Sequence, residues 1–236
     1  MTSLERILLA IKKEDSQSAD SAKNPFSLFT NKFNNAFEAQ KIIEENSDSD
    51  EVKQLSRENL IINTVTGCEV FFKQSVKALT NIEPFQTNLK TSGLLDEKIT
   101  IAEAFELNQR GDVTPGKIIA SKKSFMDLGT INNVFTLIVR PINGLNTKDA
   151  FFKAVESVES TVYTGEESKL VIKLSKDHPL WQAKVAKLFE LRHKYVHNIR
   201  QDEKLTIKEM NSVIFDLVSF LLACETYFSK LIDESS

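Results

Sequence analysis

Apolar residues along this chain of 236 residues recur mostly in steps of three and four, the spacing that places side chains on one face of an α-helix. Phe29, Phe33 and Phe37 form such a stripe within a predicted helix from about 25 to 45. A longer predicted helix, from about 50 to 81, has one apolar face made of Ile61, Val65, Cys68, Phe72, Val76 and Leu79. Both stripes predict helices that pack in a core.

The last two predicted helices have the clearest pattern. Pro179 fits the first turn of a helix that Asp177 or His178 would cap. The apolar stripe of that helix consists of Trp181, Val185, Leu188, Tyr195 and Ile199. After the loop "RQDEKL", Thr206 and Glu209 form a capping-box pattern. The seam that follows consists of Ile207, Met210, Ile214, Leu217, Leu221, Cys224, Phe228 and Leu231. Two long helices joined by a short polar loop are expected to pack antiparallel.

The rest of the chain is less regular. Residues 1–24 hold a short amphipathic pattern, "TSLERILLAIKKED", and a polar linker. An irregular insertion follows at about 82–125, with a short helix predicted at Thr100–Asn108 and a small β-hairpin as the alternative. Helical patterns return at Thr130–Val139 and Thr147–Ser157, and "STVYTGEESKLVIKL" predicts a loop with a strand-like end. The predicted fold class is all-α: a helical bundle over 25–236 with long antiparallel C-terminal helices and an irregular middle insertion.

Composition and charge restrict the class of protein and its cellular compartment, and they do not change the predicted fold. A formal net charge of −3 argues against a protein coated in cations, although a local basic patch is compatible with it. The amino end has no signal-peptide pattern, and no apolar run approaches the roughly 20 residues that cross a bilayer. Cys68 and Cys224 lie in apolar helical contexts, so we expect buried thiols in a reducing compartment. The sequence predicts a soluble, cytoplasmic protein without a membrane partner.

Two of the three histidines, His193 and His197, fall in the stretch "LFELRHKYVHNIR" at 188–200. On a helical wheel with Trp181 at zero, Arg192 lies at about 20°, inside the apolar stripe. A buried arginine there needs a partner. His193 and His197 lie at about 120° and 160°, on a flank that also carries Lys184, Lys187 and Lys194. Arg200 extends this basic face, which would attract an anionic backbone such as that of RNA.

Three interpretations of the stretch compete. Histidines four apart can share a metal, but zinc needs three or four protein ligands and His178 is some four turns away. A solvated helix face is the second interpretation, because Glu190 precedes Lys194 by four residues in the order that favours an ion pair. Catalysis is the third, since an imidazole exchanges protons at neutral pH and a guanidinium binds phosphate oxygens. We therefore predict neither a metal nor another cofactor.

Catalysis by Arg192 and His197 faces one geometric difficulty. The two residues are five apart, so they point about 140° away from each other on an ideal helix. They converge if the helix loosens near its end, if the arginine wraps around it, or if a second subunit completes the site.

The segment "RHKYVH", late in the penultimate helix, resembles the R-x4–6-H motif of prokaryotic HEPN proteins, which are all-α domains. "INTVTGCEVFFKQSVKAL", at 62–79, is similar to the early core helix of bacterial members. The resemblance covers the helices around 50–80 and 178–233, but not the first 45 residues or the middle insertion. Active members of this family are metal-independent endoribonucleases that dimerise with two motifs facing one cleft. Members commonly serve as toxins or anti-phage effectors, some with an antitoxin or another partner protein, whereas others are inactive binding modules.

Carried over to this chain, the resemblance implies that Arg192 and His197 are the catalytic pair. His193 takes the position of the polar residue after the arginine, and Asn198 stands beside the catalytic histidine as an assisting group. Glu69, at the edge of the long core helix, is the candidate partner that would hold Arg192. The resemblance also implies a homodimer that acts on RNA.

Overall fold

A computed structural model describes residues 25–83, 85–91, 113–139, 149–163, 169–197 and 205–235. The predicted amino-terminal helix and linker at 1–24 and the predicted helix at Thr100–Asn108 lie outside these residues. The described helices are α1 (Pro25–Asn46), α2 (Asp50–Leu79), α3 (Phe85–Thr91), α4 (Pro115–Lys122), α5 (Leu128–Val139), α6 (Ala150–Ser157), α7 (Leu174–Asp177), α8 (Trp181–Val196) and α9 (Ile207–Ser235). Two strands, β1 (Glu159–Tyr163) and β2 (Lys169–Lys173), lie between α6 and α7. The fold is all-α, as the sequence predicts.

Helices α1 and α2 pair along their length because their apolar stripes face each other. Phe29 is buried in the core, and Phe33 and Phe37 are partly buried against it. The hydroxyl of Ser49 accepts a hydrogen bond from the backbone N–H of Val52, which fixes the start of α2. The whole predicted apolar face of α2 is buried, which confirms the long core helix.

A guanidinium also ties α1 and α2 together. Arg57 binds Glu44 through two bonds, Nε to Oε1 at 2.5 Å and Nη2 to Oε2 at 2.8 Å. Its Nη1 donates to the carbonyl of Leu205, 3.2 Å away, just before α9. The Arg57 side chain, by hydrogen bonding and by its charge, holds the pKa of the Glu44 carboxyl below its ordinary value. This contact brings the end of α1, the start of α2 and the start of α9 to the same end of the bundle.

Helix α9 carries the apolar seam that the sequence predicts, and the capping box that opens it is confirmed. Thr206 donates from both its N–H and its hydroxyl to Glu209, and Glu209 N–H donates back to Thr206 Oγ1 at 3.2 Å. Of the seam residues only Ile207 is exposed; the others are buried. Contrary to the expectation from the sequence, α9 is long and apolar enough by length and composition to cross a membrane. In this bundle 61% of that apolar stretch is buried inside the protein, where it forms part of the core.

The middle of the chain differs from its prediction in one place. Helices α5 and α6 lie within or close to the predicted ranges. The strand-like end predicted for 160–174 is confirmed by β2, but the start of that segment is a second strand, β1, paired antiparallel with β2 so that Ser160 lies opposite Ile172. Ser160 and Thr226 on α9 are joined by a hydrogen bond of 2.9 Å between their hydroxyls. The strand is therefore held by cross-strand pairing and by α9, neither of which a local pattern reveals.

One apolar core joins these elements. Trp181 on α8 stacks on Phe220 of α9 with ring centroids 4.4 Å apart, and Phe220 also packs against Phe72 of α2. Cys68 and Cys224 are free and fully buried in this core, which confirms the expected burial. Burial raises the pKa of both thiols, so they behave as small apolar side chains.

Candidate functional site

Helix α8 begins later, and with a different cap, than the sequence predicts. Pro179 lies in the turn before α8 and the cap position is Leu180, which offers no side-chain hydrogen bond. Asp177 instead accepts a hydrogen bond from the N–H of Lys173 at 2.8 Å. The His178 ring is buried. Both predicted caps are wrong because their side chains have other partners.

His178, Lys184 and Asp216 form a buried polar cluster at the amino end of α8. The Nδ1 atom of His178 lies 2.5 Å from Oδ1 of Asp216, and the Lys184 ammonium lies 2.9 Å from Oδ2. Lys184 also donates to Ser212 Oγ at 3.0 Å. The sequence analysis missed Asp216, although a carboxylate between the buried Ile214 and Leu217 is a signal that a partner cation is near.

These contacts also confirm that α8 and α9 are antiparallel. Trp181 meets Phe220, whereas Lys184 meets Ser212 and Asp216, so higher numbers on α8 meet lower numbers on α9. The buried stripe of α8 includes Val185 and Leu188, as predicted. Tyr195 is only partly buried; burial and the nearby charge of Glu58 raise the pKa of its phenol.

The carboxyl end of α8 carries the predicted catalytic residues. Arg192 is half-buried; its Nε atom is buried and has no hydrogen-bond partner. His193 and His197 are exposed, and their ring centroids are 4.6 Å apart at an angle of 58°. Arg192 and His193 both line one surface pocket of about 470 Å³. The three side chains therefore occupy one end of one helix, with His193 between the pocket and His197.

The geometric difficulty that separates Arg192 from His197 persists. The N–H of His197 still donates to the carbonyl of His193 at 3.2 Å, which is the helical bond between residues four apart. Its backbone leaves the helical conformation only afterwards, with φ −93° and ψ 11°. The helix therefore ends at His197 without loosening before it, and no bond between Arg192 and His197 is found in the described part of the chain.

The predicted partnership between Glu69 and Arg192 is wrong. Glu69 lies 3.4 Å from the ammonium of Lys73, one turn along α2. Tyr195 lies near Glu58, and the eleven residues from Glu58 to Glu69 span about 16 Å of helix axis. Arg192 is only about 4.5 Å of axis from Tyr195. The helical wheel places Arg192 on the side of α8 that carries its apolar stripe. Glu69, however, lies too far along the axis of α2 to reach Arg192.

The expectation that a buried Arg192 must be paired is also not met among the described residues, whose ion pairs do not include it. Its half-buried position explains how the charge is tolerated, because a long side chain can pack its stem while its charged head reaches water. The buried Nε is one of four buried side-chain atoms without a hydrogen-bond partner among the described residues, and the only nitrogen of the four.

The predicted basic flank is largely neutralised. Lys184 is bound by Asp216, and Lys194 is bound by Glu190, as the favourable spacing predicts. Hydrogen bonding from Lys194 lowers the pKa of the Glu190 carboxyl, and the nearby charges of Lys194 and Lys187 lower it further. Two of the three described lysines of this flank therefore pair with an acid. Asn198 and Arg200 lie outside the described residues.

Over the ranges that the structure describes, no group of three or more histidine, cysteine, aspartate or glutamate side chains is arranged to hold a metal ion. His178 lies at the opposite end of α8 from His193 and His197 and is already bound to Asp216. The metal interpretation of the histidine pair therefore gains no third ligand from this part of the chain.

Comparisons with protein-family models, with characterised proteins and with solved structures gave no match for this chain. The resemblance to HEPN proteins therefore rests on the motif at 192–197 and its place in the penultimate long helix. It stays a prediction.

Proposed function

We propose that this protein is a metal-independent endoribonuclease of the HEPN type, with Arg192 and His197 as its catalytic pair. One observation carries the proposal. At the exposed end of α8, an arginine with a buried, unbonded Nε stands next to two imidazoles that contact each other. Unsatisfied donors and clustered titratable side chains are features that functional sites commonly share.

The chemistry follows from these two side-chain types. The His197 imidazole takes the proton of a ribose 2′-hydroxyl, and the 2′-oxygen attacks the adjacent phosphorus. The bond to the 5′-oxygen breaks, and a protonated imidazole supplies the proton that this leaving oxygen needs. Arg192 stabilises the negative charge on the phosphorane, and the products are a 2′,3′-cyclic phosphate and a 5′-hydroxyl. Proton transfer of this kind contributes about 10²–10⁴ in rate.

A second copy of the chain would complete the site, because Arg192 and His197 lie on different sides of one helix. Exposed apolar side chains at this end of the bundle support a homodimer there. Val196 precedes His197, Ile207 opens α9, and Leu55 lies near the start of α2. Arg57 bonds to both Glu44 and the Leu205 carbonyl, which places the starts of α2 and α9 together.

The cellular role extends the same proposal. Two buried free thiols fit a reducing compartment, so we place the activity in the cytoplasm. The family that the motif resembles commonly supplies toxins and anti-phage defence effectors. We therefore propose such a role for this protein, with an antitoxin or another defence protein as its partner.

The rival function is a non-catalytic module that binds RNA or protein. One observation favours its protein-binding form: Lys184 and Lys194 are engaged by carboxylates, which weakens the anionic-ligand face that the sequence predicts. Phosphate contacts supply most of the affinity for nucleic acid, so this loss matters for RNA binding.

The test is incubation of the protein with total RNA in EDTA, beside His197→Asn and the exposed control Asn211→Ala. We expect fragments that end in 2′,3′-cyclic phosphates with the wild type and the control, and a loss of about 100-fold or more with His197→Asn. Cleavage that survives His197→Asn unchanged contradicts the catalytic assignment. Cleavage that EDTA abolishes supports a metal-dependent reaction instead, and a purely monomeric active protein contradicts the shared site.

A further inference from the structure

A pocket adjoins Arg192 and His193 near the carboxyl end of α8. It lies between α8 and the turn that precedes α5, and has a volume of about 470 Å³. Met126, Leu128 and Phe189 give it apolar walls. Its polar lining residues are Ser124, Asp127, Glu190, Arg192 and His193. This size and this mixture of walls and a few polar groups are typical of small-ligand sites.

Arg192 and Asp127 line the same pocket but are not bonded to each other. The buried Nε of Arg192 has no acceptor, and Asp127 is absent from the ion pairs of the described residues. Asp127 caps α5, where its Oδ1 accepts a hydrogen bond of 2.7 Å from the N–H of Thr130. Its exposed carboxylate retains further acceptor capacity. The pocket therefore offers the guanidinium of Arg192 and the carboxylate of Asp127 to one ligand.

This pairing of charges restricts the ligand. A free phosphate would meet the carboxylates of Asp127 and Glu190, and a metal cation would meet the guanidinium of Arg192. A flat, largely apolar group with an acceptor and donors along one edge satisfies both polar groups and the walls. Nucleobases have this form, and among them guanine carries O6 next to the N1–H and N2–H donors. A carboxylate can accept from both of these donors at once.

We propose that this pocket binds a guanine base, with Asp127 accepting from N1–H and N2–H and the terminal guanidinium nitrogens of Arg192 donating to O6. In RNA this base belongs to the nucleotide beside the cleaved phosphodiester, a placement that rests on the proposed ribonuclease function. The pocket then determines cleavage specificity, because it sits on the helix that carries His193 and His197.

The chain offers a variant that separates recognition from stability. Asparagine caps helices about as well as aspartate, so Asp127→Asn keeps the start of α5 while replacing a carboxylate oxygen with an NH₂ donor. Asp233→Asn makes the same change at an exposed position near the end of α9 and is the matched control. Ala186→Met fills the pocket from the exposed α8 wall and leaves Asp127 unchanged.

The experiment is calorimetric titration of the full chain and these variants with GMP, AMP, CMP and UMP. We expect the wild type and Asp233→Asn to bind GMP about tenfold more tightly than the other three. Asp127→Asn should reduce this preference to less than about threefold, and Ala186→Met should weaken binding of GMP. Circular dichroism melting of every variant verifies that the bundle is intact.

Equal affinity of the wild type for all four nucleotides, or no binding of any, overturns the proposal. A guanine preference that survives both Asp127→Asn and Ala186→Met overturns the pocket assignment. Mapping of RNA products separates this inference from the ribonuclease proposal. Guanine binding that depends on Asp127 without any RNA cleavage supports the pocket and contradicts the nuclease. RNA cleavage without a guanine preference supports the nuclease and contradicts the guanine pocket.

Discussion

Next to the amino end of α8, a histidine and a lysine share one buried carboxylate, whereas among the described residues an arginine and two histidines at its carboxyl end have no acidic partner. His178 and Lys184 are both in contact with Asp216 on α9. Arg192 keeps a buried Nε without a partner, and His193 contacts His197 rather than an acid. Asp216 therefore contacts both side chains at the amino end, whereas Arg192, His193 and His197 are left available at the other.

Arg57 can be compared with Arg192, because both are arginines whose side chains are partly buried. It bonds twice to Glu44 and once to the Leu205 carbonyl. The bundle can therefore satisfy an arginine where the role is structural. That Arg192 is left with an unused donor is what points to a ligand rather than to packing.

The largest effect is expected from Arg192→Met. It should reduce RNA cleavage by about 100-fold or more, because the charge that stabilises the phosphorane is gone. Stability should stay equal or rise by about 0.5–1 kcal/mol, since an unsatisfied buried donor is replaced by an apolar group. Product quantification and urea denaturation measure the two effects, and a large loss of stability would show that Arg192 is structural, like Arg57.

At the other end of α8, Asp216→Ala should destabilise the protein by about 2–3 kcal/mol. The His178 ring is left buried without its acceptor, while Lys184, whose side chain is 35% exposed, can turn toward water. A shift of the urea midpoint measures the change. Ser212→Ala, which removes only an exposed hydrogen bond, is the control and should change stability by less than about 0.5 kcal/mol.

Glu44→Gln tests the ion pair between Glu44 and Arg57. It should lower the free energy of unfolding by about 1 kcal/mol at pH 7. Arg57 lowers the pKa of the Glu44 carboxyl from its ordinary value of 4.5. A lowered folded-state pKa gives stability that is fully present above the unfolded-state value and is lost as pH falls through the folded-state value. The difference between wild type and variant should therefore shrink as pH is lowered from 6 toward 3. Melting curves at several pH values measure it, and a difference that grows on acidification contradicts the assignment.

The smallest effect is expected from Glu190→Gln, which releases Lys194 from its ion pair. RNA affinity should rise by less than about threefold at low salt, because exposed ion pairs are weak. The gain should vanish at high salt, where charges are screened. Titration with labelled RNA at two salt concentrations measures the effect. The neutralised flank does not limit RNA binding if the affinity is unchanged at low salt.

Local patterns predicted the fold well where local contacts determine it. The capping box of Thr206 and Glu209 forms as expected, because both partners lie within one turn. The strand-like segment that became β2 was predicted, whereas β1 was missed, since β1 depends on β2 and on Thr226 of α9. His178 and Asp177 were predicted as caps, yet their actual partners are Asp216 and the N–H of Lys173.

At the candidate site, too, the sequence predicted the local features and the tertiary structure decided the long-range ones. The sequence by itself determined that Arg192, His193 and His197 lie late in one helix and that the two histidines are neighbours, because helical spacing brings residues four apart together. Only the tertiary structure decided which charges are paired. Asp216 reaches His178 across 38 positions of sequence, while Glu69 lies at the wrong level of the bundle to reach Arg192. A helical wheel gives the direction of a side chain, but its partner depends on how two distant helices are aligned along their axes.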